Sequence, residues 1–449
     1  MGSGKTTRII DQINKHPERH FIIIVERQTE VDRLAAACPN LISLSEVSEE
    51  LNIKRIDALE LVASEGKSMV STHQLFTKWS DNFLNSVSDW EYELIMDETV
   101  SDILSIVPIK IPDLNAYIEE KFIGRCVGNK FNKVKLLKPL LSKYGDVEDR
   151  IKNKDCYLFD IANDIDDPHY QLIQAPRSEM FTVFQRISVL TYQFKGSLLR
   201  CYFDLHGINY QLLSIKDGEV ISYKDELGLN FKDKINIYFG KLNHEYGRDI
   251  GSRCWTEKPN NQKVTKKRLR NIFNHWKKEG ITPEDFLYTT HKSFQKKVHP
   301  SHIKGLKNKL NDDYGDTHKR KHMTDQEKRN VSYLSQTIRG TNDFSHKRFL
   351  AYMSNTFMDP QIRNFLAKHD VQIDEDSYAL NRMIQWLWRG CIRNDEEMHV
   401  FVPSKRMRQL LVDWLDGKPI YSKKSQTSIR QPPIVKLPHR PLHLSQTIQ

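Results

Sequence analysis

Residues 1–7 read MGSGKTT and residues 92–100 read YELIMDETV, and these two stretches decide the fold class. The first carries the second half of the phosphate-loop pattern GxxxxGK[ST], namely Gly4, Lys5 and Thr6. Glycine lets backbone N–H groups close around phosphate oxygens, a lysine reaches the terminal phosphates, and a hydroxyl at Thr6 suits Mg2+. Gly2 and Thr7 flank these residues and belong to the same expected cradle. A helix must follow so that its positive end faces the anion, and residues 6–16, with Ile9, Ile10 and Ile13 on one side, supply it. The first glycine of the pattern and the strand that normally precedes it are missing, so the expectation is a chain that begins inside its own phosphate loop. A cloning scar would explain MGS, but not GKTT running on into an amphipathic helix and a buried strand.

In the second stretch an apolar strand delivers Asp97 and Glu98 at its carboxyl end, where parallel α/β folds bind ligands. Asp97 is expected to hold Mg2+ and Glu98 to orient or activate an attacking water. Acidic pairs after strands are also common loop residues, and it is the pairing with GSGKTT that gives this one its meaning.

Between and beyond these stretches the pattern alternates. FIIIV (21–25) reads as a strand buried on both faces, residues 30–37 as a helix, and KSMVST (67–72) as another strand. Strands alternating with helices imply a parallel α/β sheet. Residues 112–176 are polar without a clean period and read as an insertion; VLTY (189–192) is strand-like, and residues 199–223 suggest a β-rich flap. Residues 251–263 read as a linker. A second α/β pattern follows, with a helix over 268–279, strands FLYTT (286–290), FLAYMS (349–354) and HVFVP (399–403), and a helix ending near Trp414. The expected division is a first lobe over 1–250, a second over 264–416, and a disordered Pro-rich basic tail over 417–449.

Within the second pattern, residues 378–394 read YALNRMIQWLWRGCIRN. Met383, Ile384, Leu387, Trp388, Cys391 and Ile392 recur at helical spacing, with Arg382, Gln385, Arg389 and Arg393 roughly opposite. Such a helix can present guanidinium groups to a phosphate across a cleft. Taken alone, the same pattern also fits a solvated basic face.

Composition sets outer bounds. With 449 residues, 39% hydrophobic and 28% charged, most of the chain can bury a core. No apolar run approaches the roughly 20 residues of a membrane span, and the first residues are not a signal peptide, so a soluble cytoplasmic protein without a membrane partner is expected. Six scattered cysteines lack CxxC spacing and read as reduced thiols rather than zinc ligands or disulfides. The net charge of +10 suits a polyanionic partner. Residues 292–329 are dense in Lys, Arg and His; Lys296 and Lys297 are candidate phosphate contacts, with Phe294, His299 and Tyr314 interleaved for base stacking. A plain solvated loop fits that composition equally.

The ordered set GSGKTT, IVERQTEVDRL, STHQLF, IMDET, LTYQFKGS and QWLWRGCIR resembles the motif series of superfamily 2 helicases, in particular the DEAD-like helicase proteins of phages and prophages. The resemblance runs from Gly2 to about Trp414. It implies two RecA-like P-loop lobes that close on ATP and Mg2+, a nucleic-acid partner with single-stranded DNA favoured, and ATP-driven translocation or unwinding, in a bacterial host cytoplasm if the chain is phage-encoded. By that resemblance Lys5, Thr6, Asp97 and Glu98 form the ATP site, and Gln385, Arg389 and Arg393 complete it from the second lobe. Glu26, Arg27, Thr72 and His73 match motifs that contact the nucleic-acid backbone, and Thr191 matches the motif that couples hydrolysis to movement. RGTNDF (339–344) and MSNTF (353–357) occupy the usual place of later second-lobe motifs. Arg393 follows Arg389 by four residues where the family has three, which leaves the finger open between them. Two further readings are a packaging-type motor ATPase and a truncated nucleic-acid-binding homologue without ATPase activity. Oligomeric state is not legible.

Overall fold

The computed structural model describes residues 5–100, 103–161, 169–216, 219–224, 227–243, 259–337 and 341–420. Helix α1 (Lys5–Lys15) buries Ile9 and Ile13 against the first strand, β1 (Phe21–Val25), whose five residues are all buried. A branched apolar run of this kind suits a strand covered on both faces. Helix α2 (Gln28–Ala37), β2 (Ile42–Ser43), β3 (Met69–Thr72) and β4 (Glu93–Asp97) follow.

The chain then leaves the sheet for an insertion built from β5 (Ser105–Ile106), β6 (Ile123–Arg125), β7 (Val134–Leu136), β8 (Asp155–Asp160) and β9 (Tyr170–Ala175). Its strands pair antiparallel, as β5-β9-β8 and as the hairpin β6-β7, over a core of their own that includes Leu114, Val147, Leu158 and Leu172. The insertion therefore begins earlier than the expected residue 112. The chain returns to the first sheet with β10 (Arg186–Leu190), completing a parallel sheet of order β10-β4-β1-β3-β2.

The expected β-rich flap over 199–223 is only half strand. Leu198–His206 is a helix, capped by the Ser197 hydroxyl and stopped by Gly207 at φ +65°, and the hairpin β11 (Leu213–Lys216)–β12 (Glu219–Ser222) follows. Leu198, Leu199, Cys201, Tyr202, Phe203 and Leu205 are all buried, so apolar residues surround the helix and its period is hidden in the sequence.

The second sheet is parallel, in the order β13-β16-β15-β14, from β13 (Ile235–Ile237), β14 (Phe286–Thr289), β15 (Phe349–Tyr352) and β16 (Met398–Phe401). Because Ile235 pairs with Met398, the second sheet starts before residue 250, the boundary the sequence suggested. The helix Pro259–Trp276 also occupies part of the expected linker, Pro259 standing at its first position, where a missing N–H costs nothing. The chain is thus α/β with two parallel sheets flanked by helices.

The lobes share a core. Met358, Ile362, Phe365 and Leu366, in and before the helix Pro360–Lys368, belong to the same cluster as Leu94 and Met96 of β4. Tyr157 of the insertion stacks on Phe365 with ring centroids 5.7 Å apart. Cys38, Cys126, Cys156, Cys201 and Cys391 are free thiols, whereas Cys254 and the tail from residue 421 lie outside the described residues. Among the described residues no helix is long and apolar enough to cross a membrane.

Candidate active site

Strand register gathers the sequence-predicted residues on one edge. Val25 pairs with Thr72, Ile24 with Met96, and Leu190 with Asp97. Parallel pairing then puts Glu26, His73, Glu98 and Thr191 together at the carboxyl ends of four neighbouring strands. Helix α1 starts at this edge. Thr6 lies with its hydroxyl 3.5 Å from an Asp97 carboxylate oxygen, and Thr7 is exposed. No acidic residue in the first turn of α1 offsets the positive potential of its N-terminus. Lys5 opens the helix, while its side chain, Gly2 and Gly4 lie outside the described residues.

Asp97 is the most perturbed carboxylate here, pushed up to about 6. Burial is the main cause, Glu98 and Glu30 add to it, and Arg33 and the Thr6 hydroxyl oppose it. A cation beside Asp97 would offset all three causes of the rise. The donor set of hydroxyl and carboxylate oxygens fits Mg2+, which takes one or two protein oxygens and fills its octahedron with phosphate oxygens and water. Among the described residues, no group of three or more His, Cys, Asp or Glu side chains could hold a metal.

Glu98 adopts a left-handed backbone at φ +72°. Its N–H donates to the Leu190 carbonyl at 2.9 Å, and its carboxylate accepts from the Thr191 hydroxyl at 3.1 Å. The acid is therefore fixed at both ends by the strand beside it. From Thr191 the chain runs straight into the other lobe. The Trp414 indole N–H donates to the Tyr192 hydroxyl at 3.0 Å, and the Asn381 amide donates to the Gln193 carbonyl at 3.4 Å. Gly196 approaches the Ser377 carbonyl so closely that a Cβ there would sit 2.5 Å from its oxygen. A small cleft between the lobes is lined by Thr99, Val100, Ser197, Tyr378, Asn381 and Arg382.

The arginine helix needs correction. It spans Glu375–Leu387 and stops before Arg389; Gly390 is extended at ψ −168°, and Arg393 sits in a separate turn, Cys391–Asn394. A Cβ on Gly390 would lie 2.9 Å from the Lys347 carbonyl, and this close approach breaks the period that the sequence pattern continues. Arg382, Arg389 and Arg393 thus do not share one helical face. Gln385 is buried, its amide nitrogen finding no hydrogen-bond partner among the described residues, and Arg389 is half-buried.

Arg393 is exposed and lies within electrostatic reach of the first lobe. It donates to the Thr341 carbonyl at 3.3 Å and to the Asn342 side chain, and the Glu30 carboxylate stabilises its charge against the effect of burial. Glu30 is the same residue that raises Asp97. Beside this contact, Tyr314 donates to Asp343 at 2.8 Å and feels the charge of Arg27. The charges of Arg27 and Glu30 in the first lobe thus act on Tyr314 and Arg393 of the second. Sequence reasoning missed Glu30 as a seam residue, although it lies inside IVERQTEVDRL. Arg339 of RGTNDF is outside the described residues, and MSNTF is held by Arg406, which donates to the Thr356 carbonyl at 2.8 Å.

The other candidates are dispersed. Thr72 accepts from the Leu75 N–H at 3.4 Å and caps the short helix His73–Phe76. Lys296 is paired with Asp312 at 3.1 Å, and Lys297 lies over the Phe294 ring at 5.8 Å.

Comparison with known proteins adds lineage. The model of the YonV C-terminal Rossmann-like domain matches residues 229–415, the stretch that contains β13 to β16. The chain is 30% identical to the SPbeta prophage-derived protein YonV of Bacillus subtilis (strain 168), across 93% of this chain and 97% of that protein. Two solved structures titled XPD helicase and XPD apo are similar at 11% and 12% identity, with TM-scores of 0.49 and 0.48, each covering 93% of this chain and 94% of the other. Identity at this level along nearly the full length of both chains means that the protein belongs to the YonV family of prophage-derived proteins.

Proposed function

We propose that this chain is a nucleic-acid-dependent ATPase of the helicase or translocase type, with ATP held in the seam between the two sheets. The observation that carries the reading is the convergence of Thr6 and the Thr191-held Glu98 on Asp97, with Arg393 of the other lobe within electrostatic reach of Glu30.

In this reading the start of α1, with Lys5 and Thr6, receives the phosphates, and Thr6 and Asp97 hold Mg2+. Bound there, Mg2+ neutralises charge on the phosphate oxygens. Glu98 orients the attacking water and accepts its proton, which requires its carboxylate to be ionised and fixed; Thr191 fixes it. Arg393 or Arg389 stabilises charge on the transferring phosphoryl group from across the seam. Movement passes from Glu98 through Thr191 to Tyr192 and Gln193, and from there to Trp414 and Asn381.

The test is ATP hydrolysis by the full chain with Mg2+, with and without oligothymidylate, alongside Glu98→Gln. DNA-stimulated hydrolysis that disappears in the variant supports the reading. Equal hydrolysis by both proteins, or none by either, overturns it.

A further inference from the structure

The chain's excess positive charge is not spread evenly, and where it goes unpaired points to a second binding surface. Residues 121–138 of the insertion contain Lys121, Arg125, Lys130, Lys133, Lys135 and Lys138, and no acidic residue. That local charge of +6 compares with +10 for the whole chain. Of the six, Lys133 is neutralised, by Asp155. The other five are exposed and, among the described residues, take part in no ion pair. Residues 292–329, the stretch the sequence singled out, carry the same +6 over about twice the length, eleven lysines and arginines against five acids, and some of these cations are paired: Lys296 with Asp312, Lys319 with Asp313, Lys328 with Asp325, and Arg329 with Glu284.

The insertion's geometry suits an extended anion. β6 and β7 form an antiparallel hairpin in which Ile123, Val134 and Leu136 pack inward while Lys135 stands exposed opposite Gly124. Three of the cations lie over aromatic rings: Lys130 over Phe131 at 5.6 Å, Lys138 over Phe122 at 5.1 Å, and Arg125 over Tyr170 at 5.5 Å. Such contacts orient the charged groups, and Arg125 also donates to the Tyr170 hydroxyl and Lys138 to the Glu120 carbonyl, while all three residues remain exposed. At the turn, Val127 is fully exposed beside Gly128 at φ +76°. The hairpin is rooted at the lobe contact, since Phe131 packs edge-on against His369 at 5.0 Å.

We propose that the β6–β7 hairpin is an accessory nucleic-acid-binding arm that grips the phosphate backbone through Lys121, Arg125, Lys130, Lys135 and Lys138. Its partner class follows from the proposed function, but its location does not depend on ATP hydrolysis. The recognition is electrostatic and sequence-independent, and each lysine or arginine that neutralises a phosphate releases a counterion.

The test uses the full chain with all five residues changed to Gln, and a net-charge control with Lys15, Lys54, Lys78, Lys277 and Lys278 changed to Gln, all of which are exposed. Fluorescence anisotropy with labelled oligothymidylate and with a labelled duplex gives affinity against salt. The arm variant is expected to bind at least about tenfold more weakly near 0.1 M salt, with the slope of log K against log salt reduced by roughly 0.7 for each single-strand phosphate no longer neutralised. The control is expected to stay near the wild type. Equal weakening in both variants, or an unchanged slope in the arm variant, overturns the proposal. Lys130→Glu with Lys135→Glu supplies a second version should the fivefold variant misfold, read by thermal unfolding. Basal hydrolysis without DNA separates the two proposals: charge-dependent binding without ATPase would leave the arm standing and remove the motor, and ATPase without nucleic-acid binding would remove the arm.

Discussion

The Thr191 hydroxyl donates to the Glu98 carboxylate at 3.1 Å, joining the acid at the end of β4 to the neighbouring strand β10. The next residue, Tyr192, is bound to Trp414 of the second lobe. One hydrogen bond thus lies between the proposed chemistry and the contact that would transmit it.

Removing that hydroxyl is expected to slow turnover without weakening ATP binding. In Thr191→Val, Glu98 loses its fixed partner, and a net hydrogen bond to a charged group is worth about 1.5–3 kcal/mol. The kcat for ATP should fall by roughly tenfold or more while KM stays level, because the hydroxyl orients the acid rather than the nucleotide. Steady-state kinetics decide; a rise in KM at constant kcat would assign Thr191 to nucleotide binding instead.

The two arginines separate by a similar logic. The Glu30 carboxylate of the first lobe acts on the charge of Arg393. Arg393→Ala is expected to lower kcat by about 10³ to 10⁵, the range for arginine fingers, while binding of a fluorescent ATP analogue persists. Arg389→Ala is the companion measurement. Normal hydrolysis in both variants would remove either residue from the finger role.

Asp97 gives a pH signature. Its carboxyl titrates near 6, above its ordinary 3.8, so the folded protein holds this proton over a range where the unfolded chain has released it. Stability should therefore fall as pH rises from about 4 to 6 and level off above, by no more than about 3 kcal/mol in total. Asp97→Asn removes the charge. Without Mg2+ it should raise the Tm at pH 8 and change it little at pH 4. Mg2+-dependent nucleotide binding should weaken in the wild type below pH 6 and be lost in the variant at every pH. A variant no more stable than the wild type at pH 8 would contradict the electrostatic account.

Gly196 tests the fit between lobes. A Cβ there meets the Ser377 carbonyl carbon and oxygen at 2.7 and 2.5 Å, and neither is the end of a flexible side chain. Gly196→Ala is expected to cost about 1–3 kcal/mol in stability, the usual cost of overpacking. Urea unfolding measures it, and an unchanged midpoint would show that the two segments separate freely.

The sequence alone determined the parallel α/β class and the sheet edge at which the candidate residues meet. FIIIV is an uninterrupted apolar run and YELIM is broken only by Glu93, as strands covered on both faces read, and an acidic pair directly after such a strand emerges at the sheet's carboxyl edge. GKTT before an amphipathic run likewise fixed where α1 begins. Those signals are local, carried by residue type and period within a few positions. What only the tertiary structure decided depends on distant partners. The arginine helix ends at Leu387, and the extended Gly390 beyond it leaves no room for a Cβ beside Met398 and the Lys347 carbonyl. Glu30 matters to the second lobe because the fold brings Arg393 within electrostatic reach of it. The insertion's cations stand out from those of 292–329 because no acidic residue interrupts residues 121–138, whereas acids stand among the latter and several of those cations find carboxylates in the fold. Charge can be counted in a sequence, but whether a charge is neutralised depends on which groups the fold brings within a few ångströms of it.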